Sequence, residues 1–203
     1  GVQGSTGQVE SCRRFWVGRR GVADGSEQAE AYMAEHDRAL RWAVRNRRAA
    51  AQKLLAWLGG ASEPELLMDS CHNYLERTKD GLLHRKGSVS ASKGAVVIPG
   101  SRGSLTYVCI PREDTAVSLN SLSHGAGRKW ARSICKSRID QKYDRDSIRC
   151  TGLKSRVVCH DTNLLFAEAP EAYKNVEQVM GVLQEYGLID IAATLRPLIT
   201  FKG

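Results

Sequence analysis

Apolar residues recur at helical spacing between positions 26 and 58. Successive apolar positions lie seven, four, seven, four and three residues apart, which places them on one face of an α-helix. They are Met33, Leu40, Val44, Ala51, Leu55 and Leu58. Ser26 is a suitable N-cap, and two glycines after Leu58 end the helix. The pattern therefore predicts one long amphipathic helix.

Basic residues lie mostly off this apolar stripe. They are Arg38, Arg41, Arg45, Arg48 and Lys53. A basic helix face can contact RNA phosphates. Charged residues opposite an apolar stripe are also what any solvated helix face shows. From the sequence alone we favour the solvated face.

Short apolar runs separated by turn residues predict strands in the rest of the chain. The predicted strands cover residues 66–73, 82–87, 95–98, 106–110, 117–122, 156–159, 163–166 and 189–200. The strands at 156–159 and 163–166 would form a hairpin. Further helices are expected near 9–16, at 130–139 and from Pro170 to Gly187.

This succession predicts an α+β fold with mixed sheets flanked by helices, and a single domain is the simplest arrangement. Within it we expect a poorly defined segment at 1–25, the long helix at 26–58, and a nucleotide-binding α+β core at 64–203.

Composition adds a preference for a polyanionic partner. The 203 residues carry a formal net charge of +8, which favours RNA or DNA over a membrane. A merely basic enzyme has the same balance. No apolar run approaches the roughly 20 residues that cross a bilayer, and there is no signal-peptide pattern. The six cysteines are scattered without a Cys-x-x-Cys pair, which argues against zinc-ribbon chemistry and for a reducing cytoplasm.

One histidine stands between a predicted strand and two glycines. Residues 123–128 read Ser-His-Gly-Ala-Gly-Arg. The glycines allow the backbone to approach a ligand closely, and the helix predicted after them offers free N–H groups to an anion. A neutral imidazole there can attack phosphorus and hold a phosphoryl group covalently. The alternative is a glycine-rich turn with an incidental histidine.

Two other segments carry candidate chemistry. Residues 99–103, Pro-Gly-Ser-Arg-Gly, join two predicted strands and offer N–H groups, a hydroxyl and a guanidinium to an anion. The same residues also make ordinary tight turns. His72 and Asn73 end another predicted strand, where an imidazole can bind a metal. A lone histidine is more often structural.

The order of these motifs resembles the C-terminal half of an RtcB-type RNA-splicing ligase. The motifs are Cys-His-Asn at 71–73, His-Arg-Lys-Gly at 84–87, Ile-Pro-Gly-Ser-Arg-Gly at 98–103, the histidine motif at 123–128, Glu-Ala-Pro-Glu-Ala-Tyr-Lys at 168–174 and Lys-Gly at 202–203. The resemblance extends from about residue 24 onward. The arginine at 102 and Gly-Arg-Lys-Trp at 127–130 resemble a bacterial branch whose members accompany a release-factor-like protein and are linked to mending damaged RNA.

The resemblance implies a cytoplasmic ligase that uses GTP and manganese. It would join an RNA 3′-phosphate or 2′,3′-cyclic phosphate end to a 5′-hydroxyl end, in RNA repair or tRNA splicing. His124 would attack the α-phosphorus of GTP, giving a histidine–GMP phosphoramidate and pyrophosphate. The RNA 3′-phosphate would then take the guanylyl group, and the 5′-hydroxyl would displace GMP. An imidazole suits this work because it is a nucleophile at neutral pH and leaves once protonated.

The resemblance also implies a role for each matching residue. His72 would bind manganese, Asn73 would contact the nucleotide, Tyr173 would stack near the guanine, and Lys202 would hydrogen-bond it. The remaining guanylate contacts would be Pro99, Gly100, Ser101, Arg102, Thr106, Gly125, Ala126 and Gly127. Arg85, Lys86 and Arg128 are candidates for RNA or pyrophosphate phosphates on charge and position alone.

The manganese site is where the sequence departs from the family. The family's Asp-x-x-Cys, Gly-Asn-His-x-x-Glu and His-before-Ser-Gly-Ser-Arg-Gly motifs have no counterpart in these 203 residues. Only His72 carries over, and one imidazole holds manganese weakly. Two hypotheses follow: a ligase whose N-terminal part is missing here, or a truncated relative that binds RNA or nucleotide without catalysis. We prefer the first, and we expect that this chain by itself does not ligate.

Overall fold

The computed structural model describes residues 14–17, 20–60, 65–79 and 81–202. These residues form helices and runs of mostly antiparallel strands, so the fold class is α+β, as predicted. The chain divides into two compact units, one up to Lys86 and the other from Gly87. The core predicted at 64–203 therefore extends across the division. Among the described helices, none is long and apolar enough to cross a membrane.

The first unit is built around the predicted long helix. A hairpin of β1 (Arg14–Val17) and β2 (Arg20–Ala23) precedes α1 (Glu27–Trp57). The Ser26 hydroxyl accepts a hydrogen bond from the Ala29 N–H at 3.2 Å, as an N-cap does. The chain leaves the helix at Leu58 and Gly59, and Gly59 has a φ of 72°. Residues 14–16 are in a strand, so the helix predicted near 9–16 is wrong there, and 9–13 lie outside the described residues.

A second hairpin, β3 (Asn73–Thr78) and β4 (Gly81–Lys86), holds the N-terminal half of α1. The Leu75 N–H donates to His36 Nε2 at 2.9 Å, and Arg77 donates to Glu30 at 2.6 Å. Farther along the helix, Arg47 donates two hydrogen bonds to Asp69, each at 2.8 Å. Residues 65–72 lie outside any strand and β3 begins at Asn73, so the strand predicted at 66–73 is wrong except at its last residue.

The second unit contains two small hydrophobic cores. Its elements are β5 (Ser88–Ser90), β6 (Val96–Pro99), β7 (Thr106–Pro111), β8 (Ser121–Ser123), α2 (Arg132–Ile139), β9 (Arg156–Cys159), α3 (Thr162–Ala167), α4 (Val176–Glu185), β10 (Ile189–Leu195) and β11 (Ile199–Lys202). The first core joins α4 to the antiparallel sheet β10-β7-β6 and to the β5–β8 pair. The second core joins α2, α3 and β9, and β9 pairs in parallel with β11.

Three predictions in this unit need correction. Residues 163–166 lie in α3, because the Asp161 carboxylate accepts the Asn163 and Leu164 N–H groups and starts a helix. The strand predicted from 117 begins only at Ser121, after left-handed residues at 119 and 120. The helix predicted from Pro170 begins at Val176, after one 3-10 turn. The five described cysteines are free thiols.

Candidate functional site

The histidine motif is tied to the end of strand β6. The Ala126 N–H donates to the Pro99 carbonyl at 3.1 Å. A Cβ added at Gly125 would lie 2.9 Å from the same carbonyl oxygen. A side chain at 125 would therefore push the two segments apart, and glycine is needed for this approach. Two motifs that are about 25 residues apart in sequence meet at this point.

His124 lies at a half-buried position beside the backbone of Gly87. The backbone N–H of His124 donates to the Gly87 carbonyl at 3.3 Å. A Cβ at Gly87 would lie 3.7 Å from the imidazole Cε1, and the φ of 69° at Gly87 further favours glycine. Ser123 donates its hydroxyl to the Gly125 carbonyl at 2.6 Å, which closes the turn after the histidine. The ring is thus held at the surface of the first core and not inside it.

The loop from Pro99 to Ser104 is a tight, internally bonded turn. Ser101 Oγ accepts the Gly103 N–H at 3.2 Å and lies 2.8 Å from Ser104 Oγ. The Gly100 N–H donates to Leu105 at 3.1 Å, and a Cβ at Gly100 would come within 2.7 Å of that carbonyl oxygen. Thr106 follows at the start of β7, half-buried. This compactness gives the loop a fixed shape.

Arg102 does not present its guanidinium to a ligand at the surface. The residue is 8% exposed and donates to the Ile148 carbonyl at 3.1 Å. Its Nε and Nη1 have no hydrogen-bond partner among the described residues. Burial lowers the pKa of Arg102 from its ordinary value. The side chain is therefore buried in the fold, and the guanylate contact expected of Arg102 stays a prediction.

Glu168 is the centre of a cluster of charged and polar groups. It is 6% exposed. The hydroxyl of Tyr173 donates to one carboxylate oxygen. Arg132 Nε and Arg128 Nη1 donate to the other, at 3.1 and 3.3 Å. The Nζ of Lys202 lies 3.7 Å from the carboxylate. One buried acid therefore holds together the residues expected to contact guanine, Tyr173 and Lys202.

The ionised form of Glu168 is the stable one in this cluster. Burial raises the pKa of Glu168, but the hydrogen bonds from Tyr173 and Arg132 and the charges of Lys202 and Arg128 outweigh it, so the net pKa is below its usual range. The pKa of Tyr173 is raised, first by burial and then by its hydrogen bond to Glu168. Tyr173 therefore stays a hydrogen-bond donor at neutral pH.

Backbone pairing brings this cluster to the histidine motif. The Lys174 N–H donates to the Gly127 carbonyl at 3.0 Å, and the Lys129 N–H donates to Ala172 at 2.9 Å. The two segments run antiparallel, so Arg128 lies opposite Tyr173 and its guanidinium covers the tyrosine ring at 4.9 Å. Residues 99–104, 123–128, 168–174 and 202 thus converge within the second unit.

Arg128 is fully engaged in this convergence. Its three nitrogens donate to the Trp130 carbonyl, to Glu168 and Tyr173, and to Cys135 and the Ala167 carbonyl, at 2.6 to 3.3 Å. A guanidinium has five N–H donors, and these contacts use five. These contacts give Arg128 a structural role, and the phosphate contact expected of it stays a prediction.

The candidates in the first unit differ in exposure. Arg85 is 4% exposed and donates to Glu76 and to the Tyr74 hydroxyl, and the phosphate contact expected of it stays a prediction. Lys86, His72 and Asn73 are exposed, and their roles stay predictions. Within the described part of the chain, no three His, Cys, Asp or Glu side chains could together hold a metal ion. The described residues therefore do not fit a manganese site.

Sequence reasoning missed Glu168, Arg132 and two lysines. Lys129 and Lys174 line an open cleft of about 610 Å³ that also includes Ser123. Glu168 had a visible signal, since it is an acid inside the apolar run 164–169. An acid in such a position must find cationic or hydrogen-bonding partners. The lysines had none, because only the pairing of residues 127–130 with 172–174 puts them on one cleft.

Comparison with known proteins identifies the family of the chain. The family model described as tRNA-splicing ligase RtcB matches residues 21–203. RNA-splicing ligase RtcB2 of Escherichia coli is 41% identical in an alignment 187 residues long. The alignment covers 90% of this chain and 48% of that protein. The tRNA-splicing ligases RtcB of Pyrococcus furiosus and Archaeoglobus fulgidus are each 31% identical in alignments 162 residues long. Each alignment covers 68% of this chain, and they cover 16% and 33% of the two relatives. The chain thus spans about half the length of the first relative and a third or less of the other two, and it belongs to the tRNA-splicing ligase RtcB family.

Proposed function

We propose that this chain carries the guanylate-accepting part of a GTP- and manganese-dependent RNA ligase. The ligase joins RNA 3′-phosphate or 2′,3′-cyclic phosphate ends to 5′-hydroxyl ends, in RNA repair or tRNA splicing. One observation carries the proposal: the histidine motif, the Pro-Gly-Ser loop, Tyr173 and Lys202 are far apart in sequence, yet they converge through the Ala126–Pro99 hydrogen bond and the Glu168 cluster.

His124 is the proposed nucleophile. One imidazole nitrogen forms a bond to the α-phosphorus of GTP as the bond to the pyrophosphate oxygen breaks. An oxygen of the RNA 3′-phosphate next displaces the imidazole from phosphorus, and the 5′-hydroxyl finally displaces GMP. The Gly87 backbone lies beside the ring, and a Cβ added at Gly127 would meet no atom within 4 Å, so a phosphate can come close to the backbone there. We assign the phosphates of the nucleotide or RNA to Lys129 and Lys174 in the adjacent cleft.

The guanine end of the site is the Glu168 cluster. Pro99, Gly100, Ser101 and Thr106 supply a turn of fixed shape, and Asn73 is the further nucleotide contact that we propose from the first unit. Tyr173 and Lys202 keep their proposed roles as the stacking and hydrogen-bonding partners of the base. Both are bound to one buried carboxylate, which limits their motion. Arg102 contributes its backbone to the loop, since its guanidinium is buried.

Manganese is part of the proposal through the family. His72 is the proposed ligand from this chain. Because the described residues gather no further ligands around a common point, we expect the chain by itself not to ligate RNA ends. A release-factor-like protein remains a proposed partner, and the cytoplasm the proposed location.

The test is covalent labelling of His124. The 203-residue chain, and a chimera in which residues 21–203 replace the matched part of the Escherichia coli relative, are incubated with α-labelled GTP and manganese. We expect an acid-labile, hydroxylamine-sensitive label on the chimera that is lost in His124→Ala. His160→Ala is the matched control, because His160 is an exposed histidine outside the motif. A label that survives in His124→Ala contradicts the proposed nucleophile.

The second candidate function is an RNA- or nucleotide-binding module without catalysis. The observation that favours it is the incomplete metal site among the described residues. It predicts no label on the chimera and salt-sensitive retention of RNA by the chain. The two candidates are thus separated by one labelling experiment.

A further inference from the structure

Helix α1 contains a long cationic segment without acids. Residues 38–58 include five arginines and one lysine, and no aspartate or glutamate. Arg47 is the member that binds Asp69. Arg38 contacts Glu35 one turn earlier along the helix. The side chains of the other basic residues, Arg41, Arg45, Arg48 and Lys53, are exposed.

Four of these arginines form a stripe on one helix face. Arg38, Arg41, Arg45 and Arg48 are spaced three, four and three residues apart. This spacing keeps them on one side of the helix over about 15 Å. Like charges at these spacings destabilise a helix slightly, and a bound polyanion relieves that repulsion. The stripe is therefore arranged as a row of cations along a line.

A tryptophan lies at the edge of this stripe. Trp42 is 67% exposed, between Arg38 and Arg45 along the chain. A large aromatic side chain in water is unfavourable unless something covers it. Tryptophan beside arginines matches single-stranded nucleic acid, because the cations bind phosphates while the indole stacks on an unpaired base. A duplex offers the phosphates without an accessible base face, and a lipid surface offers anions without a ring to stack on.

We propose that Arg38, Arg41, Trp42, Arg45 and Arg48, here called the arginine stripe, bind single-stranded RNA. The proposal rests on the proposed function for the kind of nucleic acid, since the enzyme's substrate is an RNA end. It adds an RNA-binding surface on helix α1 of the first unit, built from residues other than those proposed to contact the nucleotide. The stripe needs neither GTP nor manganese for this contact.

The first test is the salt dependence of RNA binding by the 203-residue chain. Fluorescence anisotropy of a labelled 12-nucleotide oligouridine gives the binding constant at several KCl concentrations. The double variant Arg41→Gln, Arg45→Gln is expected to reduce the slope of log K against log [KCl] by about 1.4, because each phosphate contact on a single strand contributes about 0.7. The control, Arg145→Gln with Arg196→Gln, removes the same charge from exposed positions of the second unit and leaves the slope unchanged.

The second test separates stacking from charge. Trp42→Ala is expected to weaken RNA binding by at least about fivefold at every salt concentration without changing the slope. Trp57→Ala is the matched control, since Trp57 is 82% exposed on the same helix but 15 residues farther along. It is expected to bind RNA as the unchanged chain does. Circular dichroism checks that each variant keeps the helix.

Three results would overturn the proposal. In the first, both double arginine variants reduce the slope of log K against log [KCl] equally. In the second, both tryptophan variants weaken RNA binding equally. In the third, the chain binds phosphatidylserine vesicles and does not bind RNA. The outcome is independent of the nucleotide site, because His124→Ala is expected to lose guanylylation in the chimera and to keep RNA binding through the stripe. A failed labelling experiment and a failed stripe experiment can therefore be told apart.

Discussion

The arginines of the arginine stripe and those of the candidate site look alike in sequence but are in opposite situations. In the arginine stripe, exposed guanidinium groups follow one another along a helix with no acid between residues 38 and 58. In the second unit, Arg128 donates all five of its N–H groups within the protein, and Arg102 is 8% exposed. The arginines that belong to recognisable motifs are thus the ones least able to reach RNA.

This difference shows that acceptors, more than positive charges, decide what an arginine does. Arg128 meets a buried carboxylate from Glu168, 40 residues later in the chain, and two backbone carbonyls. Such a guanidinium fixes the fold of the site. An arginine whose donors are not all used within the protein can offer them to a ligand or to water. Net charge alone therefore overstates how much of a basic protein contacts RNA.

The largest expected effect comes from removing the shared acceptor. Glu168→Gln leaves Arg128, Arg132 and Lys202 facing a neutral group inside the fold. Arg128 and Arg132 then lack the buried carboxylate that holds them. We expect a loss of about 3 kcal/mol in the free energy of unfolding, as for one partner of a buried ion pair. Urea unfolding at pH 7 measures it. A matched change at an exposed acid, Glu185→Gln, is expected to cost under about 0.5 kcal/mol.

A loss in Glu168→Gln as small as that in Glu185→Gln would show that the cluster does not stabilise the fold. The hydrogen bonds of the buried arginines to Glu168 would then contribute nothing measurable to the free energy of unfolding.

The next effect concerns Arg128 itself. Arg128→Met keeps much of the side-chain volume but leaves Glu168 with one fewer hydrogen bond and frees two backbone carbonyls. We expect a cost of about 2 kcal/mol and a loss of guanylylation in the chimera, because Tyr173 loses the group above its ring. RNA binding by the chain should not change. A variant of normal stability with weakened RNA binding would return Arg128 to the role of a phosphate contact.

Acid should reproduce part of the Glu168→Gln effect in the unchanged chain. The pKa of Glu168 is lower in the folded state than in the unfolded state, where it is about 4.3. Its contribution to stability is therefore complete above the unfolded pKa and is lost as pH falls through the folded pKa. The chain and Glu168→Gln should differ most at pH 7 and converge toward pH 3. Glu171, whose pKa is also lowered, is present in both proteins and cancels. If the free energies of unfolding of the two proteins differed by the same amount at pH 7 and at pH 3, the assignment would be contradicted.

The sequence predicted what depends on neighbouring residues. Helix α1 followed from its apolar spacing, its Ser26 cap and the glycines after it, all of which act within a few residues. The segment 163–166 is a helix and not the predicted strand, because its three apolar residues fit both structures and the Asp161 cap decides for the helix. The family motifs identified the segments that meet at the site. They could not show which way Arg102 and Arg128 point, because the groups that receive them are 40 or more residues away.

The smallest expected effect is at Arg102, and it tests the comparison most finely. Arg102 is as buried as an engaged arginine, yet it makes one hydrogen bond, to the Ile148 carbonyl, and its Nε and Nη1 lack partners among the described residues. Burying such donors costs about as much as the single bond returns. Arg102→Met should therefore change the free energy of unfolding by less than about 1 kcal/mol, against about 2 kcal/mol for Arg128→Met. Guanylylation of the chimera should fall less than about tenfold, because the loop contributes its backbone. If labelling were abolished while stability stayed normal, the two N–H groups would be donors to the nucleotide, and burial alone would not make an arginine structural.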